Sequence, residues 1–165
     1  MTTPLRAWRL AILVAAAVVA VDQVSKLIVV DSLARGEHVK FFLGIELTYV
    51  RNKGVAFGAL GGGGTPVTVV TVVAVVALAV YFARHTSKPW LWLPFGVVAG
   101  GAVGNLADRV RDGAVIDFLD PILWPAFNLA DVSIVVGILG LLYVIEGPKK
   151  NGNKGEPTGG GPSST

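Results

Sequence analysis

Residues 8–30 read WRLAILVAAAVVAVDQVSKLIVV, an apolar run whose only ionisable residues are Arg9 at its start and Asp22 and Lys26 toward its end. Wound as a helix at about 1.5 Å per residue, such a run crosses the roughly 30 Å hydrocarbon core of a bilayer. Arg6 and Arg9 ahead of Ala15, Ala16 and Ala17 also suit a cleavable export signal. The apolar run continues past those alanines and similar runs follow, so the helix is expected to be retained.

Working outward, further apolar stretches occupy residues 66–83, 90–107 and 127–145. With 53% hydrophobic and 15% charged residues in a chain of 165, lipid is the expected solvent for most of the protein. The expected fold is a membrane all-α bundle of four transmembrane helices with a small β element, one membrane-embedded domain over residues 1–147. The β element is expected within residues 38–60, because the aromatic and β-branched residues from Phe41 to Phe57 alternate intermittently and read as a sheet or hairpin at the interface. Gly61 to Gly64 reads as a flexible connection, and Pro66 suits a first helical turn. A second polar loop runs from Asp108 to Ala126, and residues 148–165, rich in Gly, Pro, Ser and Lys, read as a disordered tail.

An even number of spans puts both termini on one side and both polar loops on the other. Arg6, Arg9, Arg84, Lys88, Lys149, Lys150 and Lys154 then face Arg35, Lys40, Arg51, Lys53, Arg109 and Arg111 across the membrane, so positive-inside counting barely decides between orientations. The net charge of +3 is scattered among apolar segments and forms no stripe able to follow phosphates, which speaks against nucleic acid. The absence of cysteine excludes a thiol nucleophile, a disulfide framework and any Cys-ligated metal.

Ionisable groups in or beside membrane helices are costly and therefore mark candidate sites. Asp22 and Lys26 lie four residues apart on one helical face and can neutralise each other. Gly101, Asn105 and Asp108 share a face of the third helix, with Arg109 beside them; the glycines at 100, 101 and 104 read as a close-packing surface. Asp117 interrupts the apolar run Val115-Ile116-Asp117-Phe118, and Asn128 and Asp131 stand one turn apart where the fourth helix begins. Asp131 there also suits the helix dipole.

These residue types favour one hydrolytic chemistry. His38 and His85 are the only histidines and fall in loops on opposite sides, no Gly-x-Ser-x-Gly elbow occurs, and there is no His-Glu-x-x-His. Two carboxylates sharing a proton remain, one drawing a proton from water while the other donates to the scissile carbonyl. Spacing alone permits either Asp108 or Asp117 as one of the pair.

The ordered set Asp22-Gln23 with Lys26, Arg51-Asn52 with Gly54, Ala56, Phe57 and Gly58, Gly100-Gly101 with Gly104-Asn105 and Asp108-Arg109, Val115-Ile116-Asp117-Phe118, and Phe127-Asn128-Leu129-Ala130-Asp131 resembles the lipoprotein signal peptidases (signal peptidase II). The resemblance implies four transmembrane helices, an extracytoplasmic β-cradle, and an aspartate dyad near the outer membrane surface that uses no metal and no cofactor. It places the dyad on Asp117 and Asp131, with Asp22, Lys26, Asn52, Asn105, Asp108, Arg109 and Asn128 as supporting or substrate-contacting positions. The substrate it implies is a diacylglyceryl-modified prolipoprotein cut before its lipidated cysteine, by a monomer in the bacterial cell membrane with both termini and the tail cytoplasmic. Membrane lipid would be its other partner. The rival reading is a non-enzymatic ion or proton pathway or a scaffold subunit, with the same polar groups as relay or interhelical glue.

Overall fold

The computed structural model describes residues 3–54, 65–121 and 123–147. The connection Gly61–Gly64, the motif residues Ala56, Phe57 and Gly58, and the tail 148–165 lie outside the described residues. Four helices and three strands follow in the order α1 (Pro4–Ser32), β1 (His38–Phe42), β2 (Ile45–Asn52), α2 (Thr65–Arg84), α3 (Trp92–Asp112), β3 (Val115–Pro121) and α4 (Leu129–Glu146).

Local chemistry explains the helix ends. The side chain of Thr3 accepts the Arg6 N–H at 3.4 Å, and Pro4 opens α1, where its missing N–H leaves no bond unmade. Both α1 and α3 outrun their expected apolar segments. In particular, α3 continues through Asn105, Asp108 and Arg109 until Gly113 adopts the left-handed conformation, φ 69°, that ends it.

The helices alternate in direction. Ala7 and Ala11 near the start of α1, Phe82 near the end of α2, Phe95 near the start of α3 and Leu141 near the end of α4 share one core cluster. Aromatic rings lock it, with Phe82 and Phe95 stacked at 4.2 Å between centroids and Trp8 edge-on to Phe82 at 4.8 Å. At the opposite end of the bundle, the second half of α1 meets the end of α3 and the start of α4.

By length and composition α1, α2 and α4 can each cross a membrane. Their surfaces fit that solvent: α2 buries Phe82 alone and leaves residues such as Val70 exposed. Among the described residues α3 is not apolar enough to join them by that measure. Its glycines and polar groups instead face α1 and α4, against which it packs. A methyl group added at Gly100 would lie 2.7 Å from Val18 Cβ, at Gly104 2.6 Å from Asp22 Oδ2, and at Gly101 2.5 Å from the Ala130 carbonyl oxygen. The backbones approach this closely only because those methyls are absent.

The sheet is antiparallel in the order β1-β2-β3. Its first two strands fall within the expected β segment. The third comes from the loop between α3 and α4, where one carboxylate obscured the strand character of Val115 to Leu119. Pairing sets Asn52 opposite Val115 and Val50 opposite Asp117. Asp117 is thus held in a strand pair and not in a free loop.

The glycine contacts are directly testable. Gly101→Ala must push against backbone at Ala130, so it is expected to destabilise the folded protein by about 1–3 kcal/mol in detergent unfolding, while Val103→Ala on the exposed flank of the same helix leaves stability within about 0.5 kcal/mol.

Candidate active site

A buried ammonium anchors the polar end of the bundle. Lys26 Nζ lies 2.7 Å from Asp22 Oδ2, 2.7 Å from Asp108 Oδ2 and 3.1 Å from Asn105 Oδ1, one acceptor for each of its three N–H groups. Lys26 and Asp22 are each 1% exposed and Asp108 is fully buried. Both carboxylates bind beyond the lysine. Asp22 Oδ1 accepts the Ala130 N–H at 3.0 Å, and Asp108 Oδ2 accepts the Ile116 N–H at 3.3 Å. Asp108 Oδ1 also accepts from Gln23 Nε2 at 2.9 Å and from Arg111 Nη2 at 3.3 Å. One ion cluster thereby ties α1 to α3, β3 and α4.

From it a chain of oriented amides leads to two further carboxyls. Because an ammonium can only donate, Asn105 must turn its oxygen to Lys26, and its Nδ2 then donates to Asp131 Oδ1 at 2.8 Å. Asn128 caps α4: its Oδ1 accepts the Asp131 N–H at 3.0 Å while Asp131 Oδ2 accepts the Asn128 N–H at 3.1 Å. With its oxygen so committed, Asn128 turns Nδ2 toward Asp117 Oδ1 at 2.7 Å, with Asn105 Oδ1 and the Ile116 carbonyl also in reach. Asn52 repeats the device, its Oδ1 accepting the Gly54 N–H at 2.8 Å and its Nδ2 donating to Asp117 Oδ2 at 2.9 Å. Each asparagine is fixed by a group that can only donate, so each presents a donor to a carboxyl.

The two carboxyls differ in surroundings. Asp117, on β3, is 2% exposed. Burial pushes its carboxyl up to about 6, the hydrogen bond from Asn52 opposes that, and the charge of Asp131 adds to it. Asp131 instead lines a groove of about 290 Å³ with Trp124, Phe127, Val132, Val135 and Val136. A second apolar groove of about 390 Å³ continues from Val136 along α4 to Tyr143 and Val144, with Trp90, Leu93, Pro94 and Val97 across from them. One acid is therefore enclosed and the other stands at the head of an apolar track.

The nine candidate site residues from the sequence all lie in this assembly, most of them in two groups. Asp22, Lys26 and Asp108 form the ion cluster, while Asn52, Asn105 and Asn128 converge on Asp117 and Asp131. Arg109 Nη1 donates to the Asn105 carbonyl at 3.3 Å, and its charge acts on Asp131, Asp117 and Asp108. The capping role open to Asp131 is real, and the same carboxyl also receives Asn105. Gln23 and Arg111 join the cluster without having been singled out as site residues, Arg111 donating to Gln23 Oε1 at 3.2 Å. The three-residue spacing from Asp108 to Arg111 was the available signal.

A family model described as signal peptidase (SPase) II matches residues 14–146 of this chain. Similar proteins include the lipoprotein signal peptidase of Halothermothrix orenii, 37% identical over 137 residues that cover 82% of this chain and 94% of the relative. That of Syntrophotalea carbinolica is 43% identical, covering 84% of this chain and 91% of its own. Among solved structures, a bacterial membrane enzyme superposes with a TM-score of 0.75 at 30% identity, covering 88% of this chain and 93% of the other.

Two measurements probe the geometry. Lys26→Met leaves two buried carboxylates without their shared cation and is expected to cost about 3–5 kcal/mol in detergent unfolding. The Asp117 carboxyl should titrate near 6 by infrared spectroscopy instead of near its ordinary 3.8. Since its folded value is raised, its contribution to stability is complete below about 3.8 and is lost as pH rises through about 6. Asp131→Asn, which removes a raising charge, should lower the titration point, and Asn52→Ala should raise it.

Proposed function

The chain belongs to the signal peptidase (SPase) II family, and from that premise we propose that Asp117 and Asp131 are the catalytic dyad of a peptidase that removes signal peptides from diacylglyceryl-modified prolipoproteins. One observation carries the assignment: a single residue, Asn128, hydrogen-bonds both carboxyls, with its side chain on Asp117 and its backbone N–H on Asp131. No other pair of acids in the cluster combines shared positioning with an open approach. Asp22 and Asp108 have their oxygens committed to Lys26 and to backbone N–H groups, which suits a structural role.

The chemistry follows from the difference between the two acids. Asp131, at the mouth of the groove, is the base that takes a proton from an attacking water. Asp117, biased toward its acid form by burial, donates a proton to the scissile carbonyl oxygen as the tetrahedral intermediate forms. As that intermediate collapses the C–N bond breaks, Asp117 takes back the hydroxyl proton as the carbonyl re-forms, and Asp131 passes the proton it took from water to the departing amine. The asparagines hold both carboxyls in place without adding competing acids, and Arg109 offers positive charge where negative charge develops.

A substrate anchored by acyl chains moves in the plane of the bilayer. The apolar track along α4, which begins beside Asp131, offers a path for such a chain while the peptide bond meets the polar end of the bundle. In this reading α3 is a fourth transmembrane helix, sheltered by its neighbours from the lipid that its composition suits poorly. The termini are cytoplasmic, cleavage occurs before the lipidated cysteine on the extracytoplasmic side, and the working unit is a monomer.

Purified protein is expected to cleave a diacylated prolipoprotein, with activity unchanged by chelators. Asp117→Asn and Asp131→Asn should each lower kcat by roughly 10³-fold or more while unfolding in detergent shows an intact fold. Asp108→Asn should act chiefly on stability. If Asp108→Asn abolishes turnover and Asp117→Asn spares it, the dyad is misassigned, and chelator-sensitive cleavage contradicts the metal-free mechanism.

A further inference from the structure

The sheet ends in an apolar tip that the proposed reaction leaves unexplained. Phe41 and Phe42 are each 63% exposed and Leu43 is 87% exposed, where β1 turns into β2. Ile45 pairs with Pro121, so the next turn, with Leu123 94% and Trp124 70% exposed, closes the same end of the sheet. Two separate turns thus present large apolar side chains together. A patch of this kind is unfavourable in water.

Backbone geometry sharpens the point. Leu43 has φ 43° and Gly44 φ 81°, two left-handed residues in succession at a tight turn. Asn or Gly would occupy the first of these positions at lower cost than Leu. At 87% exposure, the Leu43 side chain gains almost no packing inside the protein to offset that strain.

Three observations bear on what such a tip would meet. Trp124 shares its groove with Val132, Val135 and Val136, so the turn end of the sheet lies beside the first turns of α4, a helix apolar enough to span a membrane. The strands there are two-faced: Lys40, Glu46 and Asp120 form one cross-strand row, and Val39, Leu47 and Leu119 form the next, on the opposite face. A sheet end with one polar and one apolar face suits a boundary between water and hydrocarbon. Exposed Lys40, next to Phe41, can reach lipid phosphates while its stem lies along apolar surface.

We propose that this end of the sheet is a bilayer contact, in which Phe41, Phe42, Leu43, Leu123 and Trp124 enter the interfacial region of the leaflet on the active-site side while Lys40, Glu46 and Asp120 remain among headgroups. The contact rests on the reading of the chain as a membrane enzyme. It would fix the height of β3, and with it Asp117, relative to a peptide bond tethered by its lipid.

The chain contains no cysteine, so Leu43→Cys supplies a single site for a nitroxide spin label in protein reconstituted into phosphatidylcholine–phosphatidylglycerol vesicles. The expected result is relaxation by oxygen several-fold stronger than by a water-soluble nickel chelate. Stronger relaxation by the chelate overturns the proposal, and so does an immobilised label protected from both agents, which means that protein covers the turn. Phe42→Cys provides a second labelling site if the first variant does not fold. Cleavage of lipidated substrate in the same vesicles separates the two readings: an active enzyme with a water-exposed label overturns the bilayer contact alone, and an inactive wild type with a lipid-exposed label supports the contact while overturning the peptidase assignment.

Discussion

The structure depends on one charge that lipid and protein interior alike would reject. The Lys26 ammonium is tolerated because Asp22, Asp108 and Asn105 together take all three of its protons. Each of those partners belongs to a wider set of contacts, so the cation's demand for acceptors holds the end of α3, β3 and the start of α4 against α1. The consequence reaches the proposed chemistry through Asn105. An amide compelled to point its oxygen at Lys26 has its N–H groups free for Asp131.

That arrangement requires helices closer together than ordinary side chains allow. Gly100 and Gly104 bring α3 against α1, and Gly101 brings it against the Ala130 backbone, so Asn105 and Asp108 of α3 can reach the lysine that α1 carries beside Asp22. Burial of apolar surface does little to draw helices together in lipid. Packing between small residues and hydrogen bonds between buried polar groups take its place. The grooves along α4 lie where it diverges from that tight contact, one against the Trp124 turn and the other against the start of α3.

The sequence was most informative where lipid imposes a simple rule. Length and apolarity marked all four helices as spans, of which α1, α2 and α4 are apolar enough to cross a membrane, and the ionisable residues within or beside them marked the site, since each is costly unless it has partners. The i,i+4 spacing of Asp22 and Lys26 predicted their pairing, but a third member from α3 could not be read from α1. Asn128 and Asp131 were legible as neighbours on one helix face, whereas the contact between Asn128 and Asp117 depends on β3 returning beneath the start of α4. Strand β3 itself was missed because Asp117 breaks its apolar pattern and its partner is β2, far away in the chain. Gln23 and Arg111 were passed over for a similar reason: each looks like an ordinary polar residue until Asp108 is placed between them.

The proposed mechanism stands or falls with Asp117 and Asp131 flanking a single reacting centre. An experimental structure of the enzyme with a lipidated peptide carrying a tetrahedral hydroxyl in place of the scissile carbonyl tests it most directly. The hydroxyl is expected within hydrogen-bonding distance of both carboxyls, with the acyl chains along the apolar flank of α4. A hydroxyl bound at Asp108, or one that touches neither Asp117 nor Asp131, would contradict it.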